Sequence, residues 1–515
     1  MVWTGQDQGD SFWLSKKWRE NCLGMICDSA ISKDMPSPKN RAFPLIAAYL
    51  LMLFGWVAPP VLHAQASPLL LLRNVRLFTM APGEHDPFTG YLLVGADGRI
   101  AAVRVGQPPT GTTAATVWDG HGEWVIPGFI SAHSHLWQAA FRGIAADKTL
   151  PGWIDGLYRQ HAARAQAEDF YWFTLNGALD HLQHGITAAY DFSYGAAGHC
   201  GDIDCDQQSY RAEMDSGIRF LHGYQPDHIS AEDTPAMAMA RLKRFMDWLA
   251  TQPRSDRMLG VMINGSTAFN TTLQQATTEK SMMTKWNIGN QSHYLEPPDT
   301  VAAERAKFPW FEQSGLLGPG LYFGHFVHPD RAILSAAASA HSGMSWNPLS
   351  NGRLASGVPD IPLYLKMGLR VGMGVDGEAS ADLADPLENM RTGLYAIRDK
   401  YQDATVLSPY QVLFLQTMGS ADVMGVKDKL GSLEVGKFAD FLVIDPTSFG
   451  AIFDPYASLV LATEQRDIER VYVGGELRVE RGQLLHQDYR KVLAEATRRA
   501  GSTAQGSAVP VMAQH

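Results

Sequence analysis

Near the start of the folded part of the chain, apolar residues alternate or cluster in three short runs. These are 69–82 (LLLLRNVRLFTMAP), 91–105 (YLLVGADGRIAAVRV) and 115–126 (ATVWDGHGEWVI), and Gly, Pro and Asp punctuate them. That pattern predicts short strands. From about residue 126 the pattern changes. Short apolar runs at 125–132, 186–192, 218–224, 258–264, 289–295, 320–326, 342–346 and 369–375 read as strands. Longer stretches between them, at 166–184, 235–251, 300–314, 330–340 and 384–400, read as helices. Eight strand–helix alternations predict an α/β fold, a (β/α)8 TIM barrel with insertions. After about residue 430 short strands return (FADFLVID, then IERVYVGGELRVERG). The expected organisation is therefore a small β-sandwich domain drawn from both chain ends (67–125 and 429–490) flanking a barrel at 126–428. A small, polar tail at 491–515, with GSTAQGSAVP from about 500, is expected to be disordered.

The N-terminus follows different rules. Lys39 and Arg41 precede an apolar run from Leu45 to Val57, and Ala64-Gln65-Ala66 follows it. A basic region, an apolar region and a small-x-small site in that order predict a secretory signal peptide at about 35–66, cleaved after Ala66. The rival reading is an uncleaved membrane anchor, but the run is short for a span of roughly 20 residues. Residues 1–34 resemble neither signal nor core, and a start at Met35 gives a normally proportioned signal; intact Met1 in N-terminal sequencing of the expressed protein would refute that start. Export favours a disulfide between Cys200 and Cys205, which share a Gly- and Asp-rich loop, over free thiols, with metal binding by the pair as a weaker rival. After cleavage no stable membrane insertion is expected.

Composition changes the picture little. At 45% hydrophobic and 19% charged, the 515 residues suit a globular protein. A net charge of −10 argues against nucleic-acid binding, which needs a basic stripe, and the expected partner is a small-molecule substrate.

Candidate chemistry sits at the strand ends. The first barrel strand runs into Ala132-His133-Ser134-His135. With a period of two, His133 and His135 point the same way. The C-terminal ends of barrel strands are where active sites of this fold lie. The fifth strand ends in His293-Tyr294-Leu295-Glu296, the sixth in Gly324-His325, and the eighth in Val375-Asp376-Gly377. Three imidazoles (His133, His135, His293) and one carboxylate (Asp376) suit Zn2+, with Fe2+ as the alternative. Such an ion lowers the pKa of its water toward about 7, generating hydroxide at neutral pH. His328, His161, His181 and His184 read as loop or helix residues with structural roles.

VIPGFISAHSH, FRGIAADKTLPGWI, SHYLE, MSWNPLSNGRLASGV, GMGVDGEAS and KLGSLEVGKFADFLVID together resemble the amidohydrolase superfamily. The resemblance is strongest to its branch of guanine, methylthioadenosine and triazine deaminases and chlorohydrolases. It spans about residues 69–480. It implies that His133, His135, His293 and Asp376 hold the metal. It also implies that Glu296 shuttles protons and that His325 polarises the substrate. The fourth-strand segment RMLGVMING has no lysine, which by the same resemblance implies one metal ion. Relatives often assemble as dimers or larger, so a homo-oligomer is an expectation too. The chain departs from the branch at Gln291, where many relatives carry His, and at Ser380-Ala381, where many carry Ser-Asn.

For substrate contacts, Trp137, Phe141, Trp153 and Tyr158 follow the first ligand strand, with Trp137 and Gln138 foremost; Trp346 ends the seventh strand. The function expected is metal-dependent hydrolysis of a carbon–nitrogen bond outside peptides, by deamination or a related displacement on an aromatic heterocycle. Hydrolysis of an amide, urea or carbamate-like bond is the alternative, and metal binding without catalysis is a remote third.

Overall fold

A computed structural model describes residues 68–193, 200, 202–226 and 233–504. The signal segment lies outside them, as does the end of the tail.

Eight chain segments form the barrel sheet: Phe129–His135, Ile186–Asp191, Arg219–Tyr224, Met258–Gly265, Gly289–Tyr294, Leu321–His325, Gly343–Trp346, and Arg370–Met373 continued by Asp376–Gly377. All neighbours pair in parallel. The pairing order begins on Arg370–Met373 and ends on Asp376–Gly377. Those are two pieces of one segment, so the sheet returns to itself and closes. Strand positions match the periodicity closely because these strands are buried on both faces and read as near-continuous apolar runs.

The two chain ends build a second sheet, as expected. Eight of its nine strands are hydrogen-bonded in one path from Gln483–Leu484 to Ile100–Val105, and the ninth, Thr116–Asp119, branches off to pair with Leu70–Leu77; this order does not by itself make the β-sandwich that was anticipated. Leu72, Val75, Leu77, Leu92, Phe441 and Val443 make its own apolar core. Two boundaries move. Ile126 and Pro127, expected to start the barrel, belong instead to Trp124–Pro127, which pairs antiparallel with Phe441–Ile444. The chain crosses between sheets at Gly128, where a Cβ would lie 2.1 Å from Thr187 Oγ1. The tail correction is larger: Tyr489–Thr503 is a helix, capped by the Asp488 side chain, with Val492 and Ala496 buried. Arg499 pairs there with Asp169 and Glu168, both at 2.8 Å. Local polarity hid that helix, since only tertiary partners give its apolar side somewhere to go. Among the described residues no helix is long and apolar enough to cross a membrane.

One buried ion pair ties the two sheets. Arg219, on the third barrel strand and fully buried, donates from Nε to Asp440 at 2.8 Å, and its guanidinium lies 3.7 Å over the Phe438 ring. Arg219→Met is expected to destabilise the protein by about 3–5 kcal/mol, because Asp440 is left buried without its cation. Thermal unfolding measures this; a melting temperature equal to wild type would refute the pair as a tie between the sheets.

Candidate metal centre

The first barrel strand does not alternate evenly. Ser131 pairs with Ala189 and Ser134 with Asp191, so three residues on one strand span two on the other. This is the signature of a β-bulge. Before it, Ile130 and Ala132 join Ala188, Tyr190 and Tyr322 in the apolar filling of the barrel. After it, His133 and His135 take over the inward face. Without the bulge, Ser134 would continue that face and both histidines would turn outward.

The inward histidines meet the other strand ends. One ring nitrogen from each of His133, His135 and His293 lies within 4.8 Å of the others, and His133, His325 and Asp376 form a second such group. Asp376 Oδ1 stands 3.5 Å from His133 Nε2 and 3.2 Å from His135 Nε2. His325 Nε2 lies 3.7 Å from Asp376 and 3.6 Å from Glu296. All six side chains are buried.

Their partners fix which nitrogen faces inward. The Gln291 amide donates to the Ala132 carbonyl at 2.9 Å, so its oxygen must face His133 Nδ1, 2.5 Å away. His133 Nδ1 therefore carries the proton, and Nε2 presents a lone pair to the centre. That Nε2 is buried with no hydrogen-bond partner. His135 Nδ1 donates likewise to the Phe192 carbonyl at 2.8 Å. His325 is set the opposite way. Asn351 and Asn347 donate to its Nδ1 at 2.9 and 3.3 Å, so its proton sits on Nε2 and points inward. Ser356 Oγ donates to Glu296 at 3.2 Å. Removing the Gln291 acceptor in Gln291→Leu is expected to weaken zinc affinity by about 10–100-fold. Competition with a chromogenic chelator reads this, and wild-type affinity would refute it.

The charges sort themselves by neighbour. Burial pushes Asp376 up, but the close approach of the His135, His325 and His133 rings outweighs it and holds the carboxyl well below its usual range. Burial, then the Asp376 charge, push Glu296 well above the usual carboxylate range, which favours its protonated form. Burial lowers His133 and His293 well below the usual imidazole value and takes His325 down to about 4. Leu295, His325, Phe326 and Asp376 all have left-handed backbone, with φ of 56°, 68°, 46° and 60°. Non-glycine residues hold such angles at a cost of order 1–3 kcal/mol each, which the packed strand ends must offset.

A profile of the amidohydrolase family matches residues 124–478. The chain belongs to the amidohydrolase family. Among its relatives, a 5-methylthioadenosine/S-adenosylhomocysteine deaminase of Syntrophomonas wolfei is 26% identical over 437 residues, 83% of this chain and 97% of that protein. Among solved structures, an adenosine deaminase of Xanthomonas campestris with bound zinc superposes with a TM-score of 0.75 at 20% identity, covering 84% of this chain and 98% of the other. The zinc complex of atrazine chlorohydrolase from Arthrobacter aurescens gives 0.73 at 21%, covering 84% and 100%.

In this amidohydrolase a cavity of about 250 Å3 opens over His135, His293, Glu296, His325 and Asp376. Of the four aromatic candidates that follow the first ligand strand, Trp153 and Tyr158 line it and Phe141 does not. The three foremost substrate-contact candidates do not. Trp137 is fully buried among Phe141, Tyr158 and Phe170, with ring centroids 5.6–5.7 Å away. Gln138 donates to the Tyr158 hydroxyl at 3.0 Å and packs against Gly377. Trp346 lies in the wall of a separate cavity, against Gly393. The short 3-10 turn after His135 carries Trp137 and Gln138 away from the mouth, which strand periodicity does not foresee. His181 is structural, spanning the Gly177 carbonyl and Ser134. Cys200 and Cys205 form the anticipated disulfide. Asn347, Asn351 and Ser356 were missed, although a run of polar residues after a strand end (WNPLSNGRLAS) was the available signal.

Proposed function

We propose that this amidohydrolase uses one divalent metal ion to displace an amino or similar group from an aromatic heterocycle. The observation that carries this is convergence: three imidazoles and the Asp376 carboxyl meet at one buried point, with the Glu296 carboxyl and the inward N–H of His325 beside it. The donor set fits zinc, as does the unpartnered, buried Nε2 of His133. Zinc in two structural neighbours supports the same choice. His133, His135, His293 and Asp376 would be the ligands. When bound, the ion supplies a nucleophile from water at neutral pH.

The chain's residues do the rest. Asp376 accepts the proton that the attacking water gives up. Glu296 donates its proton to the ring nitrogen beside the carbon under attack and is reprotonated by the newly added hydroxyl as the carbonyl forms, while Asp376 passes the proton it took from water to the departing amine. His325 aims its Nε2–H where charge grows on the attacking oxygen. Water's oxygen becomes bonded to carbon, the carbon–nitrogen bond breaks, and ammonia leaves. A panel of aminated heterocycles, ureas and amides tests this with metal-loaded protein, read by ammonia release and absorbance. Release from an aminated ring is expected. Activity confined to ureas or amides would replace the substrate class, and inactivity on all three would sink the reading.

Export is part of the same proposal. Lys39, Arg41, the Leu45–Val57 run and Ala64-Gln65-Ala66 support it, and the Cys200–Cys205 disulfide is of the kind that persists in oxidising compartments. Mature protein beginning at Ser67 is the expected result of N-terminal sequencing.

A further inference from the structure

The walls of the cavity above the centre are mainly apolar, with the hydroxyl-bearing Tyr158 and Ser380 among them. Leu150, Trp153 and Ile154 come from the segment after the first barrel strand, Phe269 from that after the fourth, and Leu354 from that after the seventh. The Trp153 indole N–H is already committed to the Ala379 carbonyl at 2.7 Å. Apolar surface continues to the rim, where Phe269 is 49% and Ile154 37% exposed. Singly exposed apolar residues are ordinary; two that extend a buried apolar wall outward mark a binding surface.

Charge is confined to the floor. Among the described lining residues the carboxyl groups are Glu296 and Asp376, both occupied in the chemistry, and there is no Lys or Arg. Two arginines of the same loops are tied elsewhere: Arg142 to Asp180 at 2.8 Å and to Glu378, and Arg353 to Asp382 at 2.8 Å. A carboxylate carried on the substrate would lose its water here with no cation to meet it, which is costly.

We propose that this enzyme takes a neutral aminated heterocycle whose remote substituent is apolar and uncharged, and that it discriminates against anionic or zwitterionic substituents on the same ring. The proposal rests on the deaminase reading above and names its substrate class.

A matched pair tests it: 5-methylthioadenosine, with a methyl on sulfur, against S-adenosylhomocysteine, with a zwitterionic chain on the same sulfur. If the panel selects another ring, its alkyl and carboxyalkyl derivatives form the pair. The apolar member should be preferred in kcat/KM by about 100-fold or more. Ile154→Arg, at the exposed rim, should narrow that gap by about tenfold by offering a cation. Phe269→Ser should raise KM for the apolar member by about tenfold. Equal or better turnover of the charged member by the wild-type enzyme overturns this inference while leaving the deaminase reading intact. No ammonia from any aminated ring overturns the deaminase reading, and this inference with it.

Discussion

Asp376→Asn is expected to lower kcat by about 10^3-fold or more, because a single carboxylate serves two purposes. Its Oδ1 faces His133 Nε2 at 3.5 Å and His135 Nε2 at 3.2 Å, so it would share the ion with both rings. It is held ionised in a fully buried site by the same histidines that surround it. Asparagine keeps the shape and loses both the charge that offsets a divalent ion and the ability to accept a proton. Metal content by mass spectrometry should fall, and excess zinc in the assay should restore occupancy without restoring turnover. Activity within threefold of wild type would refute both assigned roles. Recovery of turnover with zinc alone would leave Asp376 a ligand and remove it from proton transfer.

Glu296→Gln should separate chemistry from metal binding. Glutamine can still accept the Ser356 hydrogen bond that Glu296 accepts at 3.2 Å, so the local packing survives. It has no acidic proton to give. Turnover is expected to fall by about 10^2–10^4-fold while bound zinc stays at the wild-type level. Loss of metal in parallel with activity would make Glu296 a ligand, and unchanged kcat would remove it from the reaction. The two variants together read the two carboxyl groups, one ionised and one neutral, that proton traffic at a dry site requires.

The functional core was legible because its residues sit where strand periodicity ends and Gly, Pro or turn residues begin. His293 and Glu296 close one buried run, His325 another, and Asp376 a third, so each could be placed at a strand end from the sequence. The pocket was less legible. Trp137 and Gln138 adjoin His135 in sequence, yet the turn after the strand rotates them into the core. Leu150, Phe269 and Leu354 stand far from any ligand in sequence and come together only when the barrel closes. The asparagines that orient His325 were equally hidden, since a hydrogen bond across two strand ends leaves no periodic trace. The helix at Tyr489–Thr503 escaped for a related reason: its polar composition reads as disorder until Asp169 and Glu168 supply partners for Arg499.

By itself, the sequence determined the order of strands and helices, the placement of His133, His135, His293, Glu296, His325 and Asp376 at strand ends, and the family they resemble. These depend on local periodicity and residue chemistry, which a linear chain carries in full. The tertiary structure decided the rest. A one-residue bulge between Ser131 and Ser134 turns His133 and His135 into the barrel, which uniform alternation does not reveal. Gln291, Phe192, Asn347 and Asn351 choose the tautomers. Burial and neighbouring charge ionise one carboxyl group and keep the other neutral. Each of those is a property of groups distant in sequence brought within a few ångströms, where desolvation and hydrogen bonding outweigh local preference.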